Sequence, residues 1–198
     1  MTLAAHLSAD PLEQFQLWYE EAKQSHEPAV DAMVLATADR EGRPAARVVL
    51  YKGVERGGFR IYTNYHSRKA RELVANPNAA LVFYWSQSYK QVRIEGKVEK
   101  MTPKESERYF QTRPRESQLS AWVSEQSQII PDRDYLTKRY RHYQQQFATG
   151  LIPCPPDWGG FLLFPERIEF WIGRDHRLHD RFCYQKQNGA WEIVRVAP

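Results

Sequence analysis

Apolar positions along the chain change period several times, and the changes mark its elements. From Asp10 the residues Leu12, Phe15, Tyr19 and Ala22 recur at helical spacing behind a capping Asp10, Pro11 at the first helical position and Glu13, which predicts an amphipathic helix. Strand patterns then follow at 32–37, 45–52 and 59–63, separated by turns at 39–44 and Gly57-Gly58. Ser67 caps a short helix through Leu73, closed by Asn76-Pro77. Strands at 79–85 and 91–101 form a predicted hairpin across 86–90, the second alternating through Val92, Ile94 and Val98. Thr102-Pro103-Lys104-Glu105 opens a helix that carries Tyr109 and ends before Pro114. A further helix spans about 134–147, with Leu136, Tyr140, Tyr143 and Phe147 on one face as core or subunit contact, and Gly150 as its stop. After the Pro-rich loop 153–156 come strands at 159–164 and 167–172, then a hairpin of 182–185 and 191–196 over Asn188-Gly189.

Many short strands, interspersed helices and no repeated strand–helix alternation predict a mainly β, α+β fold: an antiparallel barrel with helices packed outside. The 198 residues, 42% hydrophobic, suffice for one domain spanning 1–198, with 1–9 as a flexible N-terminal segment. No leader pattern opens the chain and no apolar run nears the roughly 20 residues that span a bilayer, so a cytoplasmic protein without membrane contact is expected. Cys154 and Cys183 lack paired spacing and read as free thiols.

The formal charge of +4 favours an anionic partner. Acidic residues interspersed among the basic ones argue against a nucleic-acid face, and His6, His26, His66 and His142 lack metal-ligand spacing. Four cationic pairs stand at element ends: Arg47 with Lys52, Arg68 with Lys69, Arg113 with Arg115, and Arg177 with Arg181. Arg68 and Lys69 occupy the first turn of a helix, where the macrodipole disfavours cations unless they face an anion. The stretch from Trp171 to Phe182 places three arginines, two histidines and two aspartates in one connection. Its two readings are an anionic-ligand site and a salt-bridged turn.

The ordered set Arg47-Val48-Val49-Leu50-Tyr51-Lys52, Tyr62-Thr63, Ser67-Arg68-Lys69, Tyr109 with Arg113 to Gln118, Gln126-Ser127, Trp158-Gly159-Gly160, the 171–182 stretch and Arg195 to Pro198 resembles the pyridoxamine 5'-phosphate oxidase family over nearly the whole chain. The resemblance implies an FMN-binding split β-barrel, a homodimer with sites at the subunit interface, and oxidation of pyridoxamine or pyridoxine 5'-phosphate to pyridoxal 5'-phosphate. It implies hydride transfer from the substrate to the flavin, and reoxidation by dioxygen that yields hydrogen peroxide, with ammonia released from the amine. By the same resemblance Arg47, Val48, Val49, Leu50, Tyr51, Lys52, Tyr62, Thr63, Arg68, Lys69, Gln91, Gln126, Ser127, Trp171 and Arg181 hold FMN. Lys52, Tyr109, Arg113 and Ser117 hold the substrate phosphate, and Arg177, Leu178 and His179 meet the substrate ring, with Arg177 and His179 as the catalytic pair.

Three features depart from the pattern: Tyr51 in place of an aliphatic residue, Ile172 in place of Gln, and a short segment before Asp10 without arginine. Alternatives within reach of the sequence are a related flavin oxidase acting on a phenazine-type ring and a flavin- or pyridoxal phosphate-binding protein without turnover.

Overall fold

The computed structural model describes residues 7–198; the expected N-terminal segment 1–9 therefore lies mostly outside the described residues. Its last part is tied down: the Tyr184 hydroxyl donates to the Ser8 carbonyl at 2.7 Å, and Asp10 caps helix α1 (Pro11–Gln24) by accepting from the Leu12 N–H at 2.8 Å. The elements that follow are β1 (Ala32–Ala38), β2 (Pro44–Leu50), β3 (Val54–Glu55), β4 (Gly58–Asn64), α2 (Arg68–Ala75), β5 (Asn78–Trp85), β6 (Lys90–Lys100), α3 (Pro103–Gln111), α4 (Arg115–Val123), α5 (Arg133–Gln146), β7 (Trp158–Ile172), β8 (Asp180–Gln187) and β9 (Ala190–Arg195). No described helix is long and apolar enough to cross a membrane.

All strand pairs are antiparallel, in the order β2-β1-β5-β6-β7-β4-β3, with β8 on β7 and β9 on β8. The central strand is β7, which the sequence pattern divided in two at Pro165. It runs unbroken because β7 absorbs the interruption as a bulge: Gly96 of β6 faces Pro165 and Glu95 faces Arg167, leaving Glu166 of β7 as the extra residue. Gly96 is required there, since a Cβ would stand 2.0 Å from the Phe164 carbonyl oxygen. The β8–β9 turn follows expectation, with Asn188 and Gly189 both at positive φ as a type I′ turn demands.

The main core lies between the sheet and α1. Phe15 and Trp18 of α1 are buried, and Phe15 stands 4.9 Å from Phe83 and 5.0 Å from Phe59, ring centre to ring centre. Burying such a side chain contributes about 1.5–3 kcal/mol. Tyr51 belongs to this core, edge-on to Phe15, Tyr19 and Phe83. A second cluster, Phe110, Leu119, Ile152 and Trp158, sits under α3, α4 and α5 and takes up the expected stripe Tyr140, Tyr143 and Phe147.

Helix α4 is a correction: the sequence reading stopped at Pro114 and left 115–123 without structure. Pro114 ends α3 but also starts the next helix, and Leu119 and Val123, one turn apart, bury its inner face. Arg115 is a second correction. Its guanidinium donates to the carbonyls of Phe147 and Gly150 at 3.0 Å for the latter, so it caps the end of α5 instead of joining Arg113 in an anion cluster.

Candidate functional site

A cleft of about 470 Å³ opens between β2, β4, α3 and the α4 exit, within the usual range for a small-molecule site. Its first part is built around the start of α2. Ser67 caps the helix, and its hydroxyl lies 3.1 Å from that of Thr63, which donates to Gln126 Oε1 at 2.7 Å. Lys69 Nζ donates to the same Thr63 hydroxyl at 3.2 Å. The Arg68 backbone N–H reaches Ser127 Oγ at 3.2 Å.

Antiparallel pairing of β1 and β2 brings Arg47 beside Thr37, and both meet Glu72 from α2; Arg47 Nη2 lies 3.1 Å from Glu72 Oε2 and Arg68 Nε 2.7 Å from Oε1. Burial alone would raise the Glu72 carboxyl, but hydrogen bonds from Thr37, Arg68 and Arg47 together hold it below its ordinary value. Lys69 is lowered too, but in its case at the expense of the charged form: burial, then repulsion from Arg47, lowers its ammonium despite the attraction of Glu72. The conflict read from the first turn of α2 is thus real, with Arg68 answered by Glu72 and Lys69 facing the cleft.

The second part lies at the end of α3. Tyr62 and Tyr109 stack at 3.8 Å with their planes 14° apart, and Trp158 lies parallel to Tyr62 at 5.4 Å. The Arg113 guanidinium sits over the Trp158 ring at 4.7 Å. Arg113 Nη1 and the Tyr62 hydroxyl are buried and lack a hydrogen-bond partner among the described residues. Burial pushes the Tyr62 hydroxyl up to about 12, against the nearby charge of Arg60, and lowers Arg113. Lys52, half-buried just beyond β2, completes the cationic lining.

Of the expected site residues, Arg47, Val48, Val49, Leu50, Lys52, Tyr62, Thr63, Lys69, Tyr109, Arg113 and Gln126 therefore meet in one cleft. Arg68 and Ser127 stand at its edge through the backbone contact just described. Tyr51, just past the end of β2, does not line it, because its ring packs into the core against Phe15 and Phe83. Ser117, in the first turn of α4, does not reach it either. Sequence reading missed the contributions of Asn64, Ser120, Ala121 and Ser124, and cast Trp158 only as part of a motif. The Leu119/Val123 spacing was the available signal for α4.

The remaining expected residues form a separate group. Gln91, Trp171 and Arg181 stand side by side in register on β6, β7 and β8. Glu169 holds Arg181 through two hydrogen bonds, at 3.0 and 2.9 Å, and Arg181 also donates to the Ala197 carbonyl at 2.8 Å. His179 packs on Trp171 at 4.7 Å, and its Nδ1 accepts from the Arg174 N–H at 3.1 Å, so a neutral ring carries its proton on Nε2. Asp180 pairs with Arg174 and Arg195, not with Arg177. Arg177 and Leu178 are exposed, and His176 and Arg177 both adopt left-handed backbone, each costing on the order of 1 kcal/mol. Trp171 lies thirteen positions beyond Trp158 on the same strand, roughly 40 Å of extended chain. One chain does not bring the two groups together.

Residues 19–147 match the family model described as pyridoxamine 5'-phosphate oxidase, and 158–198 match that of the pyridoxine 5'-phosphate oxidase C-terminal dimerisation region. The chain is 62% identical to the pyridoxine/pyridoxamine 5'-phosphate oxidase of Coxiella burnetii, covering 97% of each. It is 51% identical to the protein of that name from Microcystis aeruginosa, covering 99% of this chain and 92% of the relative. Among solved structures, PhzG from Burkholderia lata in complex with tetrahydrophenazine-1-carboxylic acid superposes with a TM-score of 0.94 at 26% identity, over 100% of this chain and 97% of that one. A pyridoxamine 5'-phosphate oxidase-related, FMN-binding protein from Nostoc punctiforme shares the fold, with a TM-score of 0.76 at 18% identity over 97% and 100%. Matched by one model over 19–147, by the other over 158–198, and by relatives over nearly its full length, this chain belongs to the pyridoxamine 5'-phosphate oxidase family.

Proposed function

We propose that this chain is an FMN-dependent oxidoreductase that converts pyridoxamine 5'-phosphate and pyridoxine 5'-phosphate to pyridoxal 5'-phosphate with dioxygen as acceptor. The observation that carries the reading is one cleft lined by two cationic groups with unmet donor capacity. Lys69 and the start of α2 form one; Lys52 and Arg113, with its buried unpartnered Nη1, form the other. Two phosphorylated molecules, cofactor and substrate, match that pair of groups in charge and number.

The residues present fit FMN. Lys69, Arg47, Thr63, Gln126 and the Arg68–Ser127 edge offer donors suited to a terminal phosphate at a helix start, and the apolar side chains of Val48, Val49 and Leu50 offer a surface for a ring. When bound, the flavin supplies the hydride acceptor and its reoxidation by dioxygen. Tyr109, Arg113 and Lys52 bind and orient the substrate phosphate. Arg177 and His179 lie in the connection beyond the far end of β7, too distant to act on a ligand in the cleft of their own chain, so they act on the cleft of a second copy. A homodimer follows from that division. The exposed Val48 and Leu50 on the outer face of edge strand β2, 66% and 53% accessible in one chain, support the same assembly.

The structural likeness to PhzG favours a second reading, a flavin oxidase of a phenazine-type ring. The relatives at 48–62% identity favour the first. The test is purification, identification of the flavin released on denaturation, and a peroxide assay with pyridoxamine 5'-phosphate, pyridoxine 5'-phosphate and a dihydrophenazine carboxylate. Yellow protein that releases FMN and forms peroxide with the first two is the expected result. Colourless protein that takes up no FMN, or turnover of the phenazine alone, would refute the proposal.

A further inference from the structure

Among the described residues, Arg113 is an arginine without a counter-ion. Its guanidinium is half-buried, makes no ion pair with a carboxylate among the described residues, and leaves Nη1 without a hydrogen bond. A desolvated cation in that state is costly unless something other than a carboxylate answers it. The aromatic residues do so. The guanidinium lies 4.7 Å above the Trp158 ring and 5.6 Å from the Phe110 ring. Trp158 is itself 7% accessible, edge-packed by Phe110 at 5.2 Å and parallel to Tyr62 and Tyr109. Its backbone is fixed by pairing with Asn64 across β4 and by donation to the Pro155 carbonyl at 3.0 Å.

A π face attracts a cation but offers no hydrogen-bond acceptor and carries no net charge. A carboxylate in the same place would hold Arg113 equally still, but it would neutralise the guanidinium and compete with an incoming phosphate for its N–H groups. The indole holds Arg113 in the cleft while leaving its charge and an N–H for the ligand. On the reading given under Proposed function, we infer that Trp158 is the positioning residue that fixes Arg113 by a cation–π contact and thereby sets the preference for phosphorylated over unphosphorylated substrates. Trp158 acts through Arg113 and touches no reacting atom.

The test measures equilibrium binding of pyridoxal 5'-phosphate, and of pyridoxal as the phosphate-free control, to the FMN-loaded protein. Trp158→Leu removes the π face, and Trp158→Phe retains a smaller one. A third protein carries a fluorinated tryptophan at position 158 by site-specific incorporation, which weakens the ring quadrupole at nearly constant size and covers the case in which Trp158→Leu fails to fold. The expected result is about tenfold weaker binding of pyridoxal 5'-phosphate by Trp158→Leu, partial recovery in Trp158→Phe, and a graded loss with ring fluorination. Binding of pyridoxal weakens less than that of pyridoxal 5'-phosphate in every variant, and the fluorination effect disappears in an Arg113→Ala background. Equal weakening for both ligands, no response to fluorination, or additive effects of Arg113→Ala and Trp158 fluorination would overturn the inference while leaving the functional reading intact. Failure of the unaltered protein to bind pyridoxal 5'-phosphate at all would overturn both.

Discussion

Replacing Lys69 with methionine should stabilise the apoprotein while weakening its hold on FMN. Lys69 is 9% accessible, and its ammonium makes one hydrogen bond among the described residues, to the Thr63 hydroxyl. Burial and the charge of Arg47 work against the protonated form. Methionine has a similar length and no charge, so Lys69→Met removes the desolvation cost and the repulsion at the loss of one neutral-acceptor hydrogen bond, which contributes about 1.5–3 kcal/mol at most. The Thr63 hydroxyl keeps Ser67 and Gln126 as partners, so that loss leaves no orphan. The net expectation is a higher Tm for the apoprotein, because desolvation of the ammonium and the charge of Arg47 outweigh one hydrogen bond to a neutral acceptor. For FMN the sign reverses, because a charge-assisted contact to the phosphate disappears, and at about 1.5–3 kcal/mol its loss weakens binding roughly 10- to 100-fold.

The pH dependence gives an independent check. The folded-state pKa of Lys69 lies below the ordinary 10.5, so between the two values the folded protein binds fewer protons than the unfolded chain. Stability of the apoprotein from this group therefore rises with pH through that window, and the rise is missing in Lys69→Met. Apoprotein melts across alkaline pH and flavin-fluorescence titrations measure both effects. A variant that melts lower than the parent and binds FMN with unchanged affinity would refute the reasoning.

Glu72→Gln should reduce sensitivity to acid: the lowered carboxyl of Glu72 contributes stability that is present above about pH 4.5 and lost as pH falls through its folded value, so acid-unfolding curves of parent and variant should converge at low pH, and a constant offset between them would contradict this. Arg181→Ala should lower flavin occupancy and leave Glu169 buried beside Arg167 alone, whereas Arg177→Ala should give a folded, yellow protein with impaired turnover; unchanged steady-state kinetics in flavin-loaded Arg177→Ala would remove the 171–182 stretch from the site. Arg115→Ala should cost about 0.5–1 kcal/mol by uncapping α5 and leave the KM for pyridoxamine 5'-phosphate unchanged; a large rise in KM would restore Arg115 to the phosphate group.

Sequence alone determined the elements whose signals are local. Asp10-Pro11, Ser67 and Thr102-Pro103-Lys104-Glu105 start helices where their caps say, because a cap acts within one turn of the backbone it satisfies. Asn188-Gly189 turns where it should because positive φ is a property of those residues. The basic first turn of α2 marked a site through a conflict with the macrodipole, which is also local. Tertiary structure decided the rest. Whether Pro165 breaks a strand depends on what lies opposite, and Gly96, some seventy residues earlier in the chain, supplies the room for the bulge with which β7 continues. Whether an arginine serves a ligand or the fold depends on its partner in space: Arg115 found the carbonyls at the end of α5, Arg181 found Glu169, and Arg113 found, among the described residues, aromatic faces alone. No spacing along the chain separates these cases, because the free energy that distinguishes them comes from desolvation and partner geometry, and both are set by residues distant in sequence.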